Sequence, residues 1–279
     1  RGAQIFKLHM YEREIIMLKE NMIRKRIESG EPTVATRIWS TNPFITETIG
    51  NSGNFDYIEF AAEYAPFNQT DLENICRAAE LYDMGTLIKV DFQNRAYIAQ
   101  KAIASGFQAV MFADHETPEE VEESIRLTMP ATPDCGGRFG YPMRRFIGGE
   151  SHVTPMTHAT RLKQIVRVFM IEKVEALNRI EEICSIPGVD MVQFGSGDWG
   201  MNQGFDRSEH PEECKAAERK MIECALRHGI RPRCEVTSPE AAQYYKDLGV
   251  RDFCLNDEMS ALRRFWFNEG KRIRELAKK

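Results

Sequence analysis

Glu172 and Asp198 are the residues of this chain best suited by type and setting to hold a hard cation. Glu172 directly follows the apolar run 165–171, and Asp198 follows the run 190–194 across Gly195-Ser196-Gly197. Two carboxylates at neighbouring strand ends offer oxygen ligands to a divalent ion such as Mg²⁺ and leave positions for water and a chelating substrate. An α-oxo acid chelates through its carboxylate and keto oxygens. A metal there acts as a Lewis acid on the carbonyl and stabilises the enolate formed when a proton or carbon leaves. The glycines at 195 and 197 add backbone N–H groups able to cradle a carboxylate. Hydrogen-bonded loop anchors would carry the same residues, so the surroundings must decide.

Other strand ends supply acid, base and cation candidates: Glu63 and Tyr64, Lys89 and Asp91, and Asp114-His115-Glu116. His115 is a candidate proton-transfer group, or alternatively a capping residue before Thr117-Pro118. Lys89 and Lys173 also open a Schiff-base alternative, which requires an amine desolvated enough to be neutral.

Positioning these groups calls for a barrel. Short β-rich runs recur at 33–39, 56–60, 86–90, 109–112, 165–171, 190–194, 231–236 and 252–255, with helical periodicity between them. Several are unbroken apolar runs, as in parallel strands covered by helices. Thr70-Asp71-Leu72-Glu73, Thr117-Pro118-Glu119-Glu120 and Ser238-Pro239-Glu240 read as helix starts, and Gly85, Gly106, Gly188, Gly229 and Gly249 as helix stops. Eight β-then-α units predict an α/β protein of the (β/α)8 TIM-barrel class. No GxGxxG follows the first strand, which argues against a dinucleotide-binding fold. Residues 1–20 read as an N-terminal helical extension and 21–279 as the barrel catalytic domain. A long Gly/Pro/Arg-rich loop at about 130–160 is expected on the active-site face. There Arg138, Arg144, Arg145 and His152 would clamp the far end of an anionic substrate.

The totals fit such a domain. The chain has 279 residues, 42% of them apolar and 28% charged, and a net charge of −5. That charge gives no reason to expect nucleic acid or an anionic membrane as partner. Seven cysteines without CxxC argue against a disulfide framework or zinc ribbon and for a reducing cytoplasm. No apolar stretch reaches the length of a membrane span.

The segments Ile171-Glu172 and Val189-Asp190-Met191-Val192-Gln193-Phe194-Gly195-Ser196-Gly197-Asp198 resemble the metal-binding signature of the HpcH/HpaI class II aldolases. The upstream run from Asp56 to Pro66 does too, and the resemblance extends from about Met22 to the C-terminal helix. It implies a barrel in which Glu172 and Asp198 bind Mg²⁺, Mn²⁺ or Co²⁺. It further implies that the Gly197 and Asp198 backbone N–H groups hold a pyruvate-like carboxylate, with Ser196 beside them as a further substrate-binding candidate, and that Glu63 contacts metal-bound water. The family cleaves 4-hydroxy-2-oxo acids to pyruvate and an aldehyde. Its members are homo-oligomers, dimer-based or hexameric, with exchanged C-terminal helices, and the apolar positions Leu262, Phe265, Trp266 and Phe267 suit that exchange.

Departures from the pattern fall on proton transfer. Ala61 and Tyr64 stand where the family carries its Asp and His, Lys89 where it carries Arg, and Met170 where Gln is common. Lys89 supplies charge but no bidentate fork, and Tyr64 is a poor base near neutral pH. The expected activity is therefore a metal-dependent lyase of a 4-hydroxy-2-oxo acid. Alternatives are a decarboxylase, isomerase or condensing enzyme on the same platform, or a non-catalytic binder of oxo acids.

Overall fold

The computed structural model describes residues 20–142, 144–145 and 153–278. The expected extension at 1–20 and His152 thus lie, apart from Glu20, outside the described residues. Eight parallel strands close into a barrel in sequence order, with β8 returning to β1. They are β1 (Thr33–Ile38), β2 (Tyr57–Ala61), β3 (Gly85–Val90), β4 (Ala109–Phe112), β5 (Val166–Ile171), β6 (Met191–Phe194), β7 (Arg231–Val236) and β8 (Asp252–Asp257). Around them run α1 (Met22–Ser29), α2 (Pro43–Asn51), α3 (Gln69–Glu80), α4 (Arg95–Ser105), α5 (Pro118–Thr128) and α6 (Pro155–Lys163). The circuit continues with α7 (Val174–Asn178), α8 (Ile180–Ser185), α9 (Ser196–Gln203), α10 (Pro211–Arg227), α11 (Pro239–Asp247) and α12 (Glu258–Leu276). Among the described residues no helix is long and apolar enough to cross a membrane.

Strand alternation sorts side chains between two cores. Ala35, Leu87, Met111, Val168 and Met191 fill the lumen, while Ile58, Ile88, Val110, Phe169 and Val192 face the helices. Ile23 of α1 enters the lumen cluster from below and closes that end. Gly85 makes room for it, since a Cβ there would meet Ile23 at 2.7 Å. Arg24 holds α1 in place with two hydrogen bonds of 2.7 Å to Asp190. Caps set the helix starts. Thr117 and Glu120 form a capping box on α5, and Asn68 forms one with Asp71, starting α3 slightly before Thr70.

The long loop is not where the sequence suggested. It joins the end of α5 to α6 and β5, so it leaves the helical shell at the face opposite the strand carboxyl ends. Part of the expected loop, Pro155–Lys163, is helix. Its arginines bind the outside of the shell: Arg144 pairs with Gln69 and Glu73 of α3, and Arg145 with Glu80. Arg138, expected to bind substrate, instead faces Glu123 of α5 at 3.4 Å and donates its backbone N–H to Arg126. A connection from helix to strand starts at the end of the barrel away from the active site, and Arg138 stays there against α5, which corrects its assignment to the substrate.

Candidate active site at the carboxyl ends of the strands

Lumen parity places the polar groups. Along β5, Val166, Val168 and Met170 point inward, and the same two-residue step delivers Glu172 at the strand end. Along β3, Leu87 is followed two residues on by Lys89. Both are buried, at 1% and 5% exposed. Lys89 forms a close ion pair with Glu63, just beyond β2, and lies 5.1 Å from the centre of the Tyr64 ring.

Glu172 is held by one oxygen only. Its Oε1 accepts the backbone N–H of Asp114 at 2.7 Å, while its buried Oε2 has no hydrogen-bond partner among the described residues. Burial lifts its carboxyl to about 7, against the lowering effect of Lys89. Gly195 packs against it, and a Cβ at that position would stand 2.6 Å from Oε2. Asp198, in the first turn of α9, is near enough for its charge to raise Glu172 further, and its carboxylate accepts no hydrogen bond among the described residues. No side chain caps α9. Its first N–H groups, at Ser196, Gly197 and Asp198, therefore face open space with the positive end of the helix dipole behind them. Beyond Gly197 nothing lies within 4 Å of an added Cβ. Ser196 Oγ accepts from Arg207 at 3.1 Å.

A buried carboxylate oxygen without a donor, a second free carboxylate beside it and adjacent amides suit a divalent cation and an anionic chelator. The lysines suit a different role. Burial draws the Lys89 ammonium down, but Glu172 and Glu63 outweigh that and raise it above its ordinary value. Lys173 is likewise raised by Asp114, whose Oδ1 lies 2.7 Å away, against the effect of burial. The neighbouring carboxylates thus favour the ammonium form of both, which works against the neutral amine that Schiff-base chemistry needs. Tyr64 is pushed up to about 12 by burial and by Glu63, so its phenolate is absent near neutral pH.

His115 is not in the site. Lumen parity would turn it inward after Ala109, Met111 and Ala113, but Asp114 takes a left-handed backbone with φ of 61° and breaks the alternation. His115 is thrown into the shell against Phe92, Phe112 and Phe169. Nδ1 donates to the Ala113 carbonyl at 2.8 Å, and Nε2 accepts from Ser124 Oγ at 2.7 Å. Neither nitrogen is left to exchange protons with a substrate.

Two features escaped the reading of the sequence. One is the role of Asp114, named only as a strand-end candidate, whose backbone fixes Glu172 and whose side chain holds Lys173. The other is a charged floor under the site. Glu59 receives Arg37 at 2.6 Å and the fully buried Arg233 at 2.6 Å. Arg233 also reaches Tyr57 at 2.8 Å and Gln193, and Arg37 reaches Glu235. Burial works to raise the Glu59 carboxyl, but the two arginines hold it at about 2. The available signal was a set of charges inside otherwise apolar strands, at inward positions of β1, β2 and β7.

A family model described as HpcH/HpaI aldolase/citrate lyase matches residues 39–242. This chain belongs to that family. Among relatives, it is 21% identical over 248 residues to a hydroxypyruvate/pyruvate aldolase of Paraburkholderia phytofirmans, covering 84% of this chain and 90% of that protein. It is 21% identical over 240 residues to a 4-hydroxy-2-oxo-heptane-1,7-dioate aldolase of Escherichia coli, covering 83% and 86%. The fold superposes on a crystal structure of a citrate synthase with a TM-score of 0.79 and 19% identity, covering 93% of this chain and all of that one. In this HpcH/HpaI chain, Glu172, Gly195 and Asp198 lie together at one end of the barrel, with Lys89 and Glu63 beside Glu172.

Proposed function

We propose that this chain is a divalent-metal-dependent carbon–carbon lyase that cleaves a 4-hydroxy-2-oxo acid through a pyruvate-like enolate. The observation that carries the reading is the buried, unpartnered Oε2 of Glu172 beside Asp198. Glu172 and Asp198 would hold Mg²⁺, Mn²⁺ or Co²⁺, which when bound polarises the 2-oxo group of the substrate. The Ser196, Gly197 and Asp198 amides receive the substrate carboxylate at the start of α9. The Lys89 ammonium stabilises negative charge developing on the 2-oxygen. Glu63 takes the proton of the 4-hydroxyl. The C3–C4 bond then breaks, its electron pair enters the enolate as the aldehyde leaves, and a proton returned to C3 yields pyruvate. With Tyr64 set aside by its raised pKa and His115 by its place in the shell, Glu63 is the group this reading assigns to proton transfer. The enzyme works as a homo-oligomer in the cytoplasm.

The same enolate also serves decarboxylation or condensation, and Ala61 and Tyr64 at the usual base positions favour keeping that second reading. Release of CO₂ from oxaloacetate, with no aldehyde formed from a panel of hydroxy-oxo acids, would select it.

Exchange of the pyruvate methyl protons in D₂O, followed by NMR, tests the enolate directly. The expected result is exchange with Mg²⁺, Mn²⁺ or Co²⁺ that is lost with chelator and falls about a thousandfold or more in Glu172→Ala. Pyruvate binding without exchange under any metal would overturn the proposal.

A further inference from the structure

At the face opposite the strand carboxyl ends, α8 and the end of α10 bring together metal-ligating side chains that the enolate chemistry does not use. An oxygen of Glu181, the sulfur of Cys224 and a ring nitrogen of His228 lie within 4.8 Å of one another. The spacing explains the convergence. Glu181 and Cys184 are three residues apart on α8, and Cys224 and His228 are four apart along α10 and its cap, so each pair shares one helix face. The Cys184 thiol borders that of Cys224 without joining this set.

The surrounding contacts resemble those that orient ligands. Ser185 Oγ stands 3.4 Å from His228 Nδ1 and leaves Nε2 directed at Glu181, 2.7 Å away. Arg227 occupies the other Glu181 oxygen. A ring held through its second nitrogen and a carboxylate pinned through its second oxygen are the usual supports of zinc ligands. Both cysteines are buried, whereas Glu181 is exposed, so an ion has a path of entry.

We infer that Glu181, Cys224 and His228 form a site for Zn²⁺ or a similarly thiophilic divalent ion, with water as the fourth ligand. One nitrogen, one carboxylate oxygen and one sulfur form a donor set that zinc accepts and magnesium does not. On binding, the His228–Glu181 hydrogen bond opens so that both turn to the ion. The Cys224 thiol releases its proton to solvent, and the Nε2 proton of His228 moves to Nδ1, on the side of Ser185 Oγ. The ion then clamps α8 to α10, far from Glu172.

The test uses the full chain, stripped of metal and carrying Glu172→Gln and Asp198→Asn to silence the strand-end carboxylates. Titration with Co²⁺ should give one bound equivalent, with a thiolate-to-cobalt charge-transfer band that Zn²⁺ abolishes by displacement. Cys224→Ser and, at the more accessible position, His228→Gln should remove the band, while far-UV circular dichroism stays unchanged. Ser185→Ala should weaken Zn²⁺ about tenfold. Absence of a thiolate band would overturn the inference. So would a band that survives His228→Gln, or a Cys184–Cys224 disulfide found in the purified chain by mass. If Cys224→Ser does not fold, His228→Gln alone decides.

Discussion

The backbone N–H of Asp114 donates to one carboxylate oxygen of Glu172 at 2.7 Å, and the other oxygen is buried with no hydrogen-bond partner among the described residues. Asp114 reaches this position through a left-handed φ of 61°, a conformation costly for a residue with a Cβ. The strain thus sits where it orients a candidate ligand. The Asp114 side chain, paired to Lys173 at 2.7 Å, ties the end of β4 to the end of β5. The same turn removes His115 from the lumen, so one dihedral angle both aims Glu172 and disposes of a candidate base.

Gly195→Ala tests how closely that aim is held. Gly195 has an ordinary φ of −104°, so alanine meets no backbone penalty, but its Cβ would stand 2.6 Å from Glu172 Oε2. Metal affinity by isothermal titration and turnover should both drop, turnover by about a hundredfold. Gly197→Ala, with nothing within 4 Å, should leave metal affinity and melting temperature as they are. Equal affinities in the two variants would argue against a role for this packing.

Lys89→Met should destabilise the fold by about 3–5 kcal/mol in urea melts, because the buried Glu63 loses the partner of its ion pair. Adding Glu63→Gln should restore much of that stability without restoring turnover. Recovery of turnover in the double variant would remove Lys89 from the proposed chemistry.

Acid stability should depend on His115. Burial lowers its folded pKa to about 4, below the unfolded value of 6.5. Between these values the unfolded chain binds the extra proton, so stability is complete above about pH 6.5 and falls as pH drops toward 4. The loss from this group is of order 3 kcal/mol at most. His158, lowered in the same way by burial, acts with the same sign. His115→Asn should flatten the pH dependence of the melting temperature in that window and leave proton exchange into pyruvate intact. Loss of exchange would return His115 to the active site.

The C-terminal helix predicts self-association. None of α12 is buried, and Phe265, Trp266 and Phe267 are 62%, 59% and 77% exposed. A helix so apolar on open faces is covered most simply by a second copy of the chain. Light scattering should give a multiple of the 32.1 kDa chain mass. Trp266→Asp with Phe265→Asp should give a smaller species. A monomeric wild type would contradict the expectation.

Strand positions, barrel class and the placing of Glu172 and Asp198 at the ends of adjacent strands were legible from local pattern. Apolar runs and helix caps are short-range properties, and a carboxylate after a strand falls at the catalytic end of any barrel. Lumen parity likewise places Lys89 without knowledge of its neighbours. Three outcomes needed the closed tertiary structure. The φ of Asp114 is set by contacts between β4 and β5, and no residue near His115 announces the lost alternation. The arginines of the long loop found α3 and α5 because chain direction, rather than composition, decides which face a loop visits. Arg37, Glu59 and Arg233 are separated by up to 196 residues in sequence and meet only when β1, β2 and β7 close around one axis. Local sequence therefore determined which groups reach the end of the barrel, and closure of the barrel decided which of them face one another.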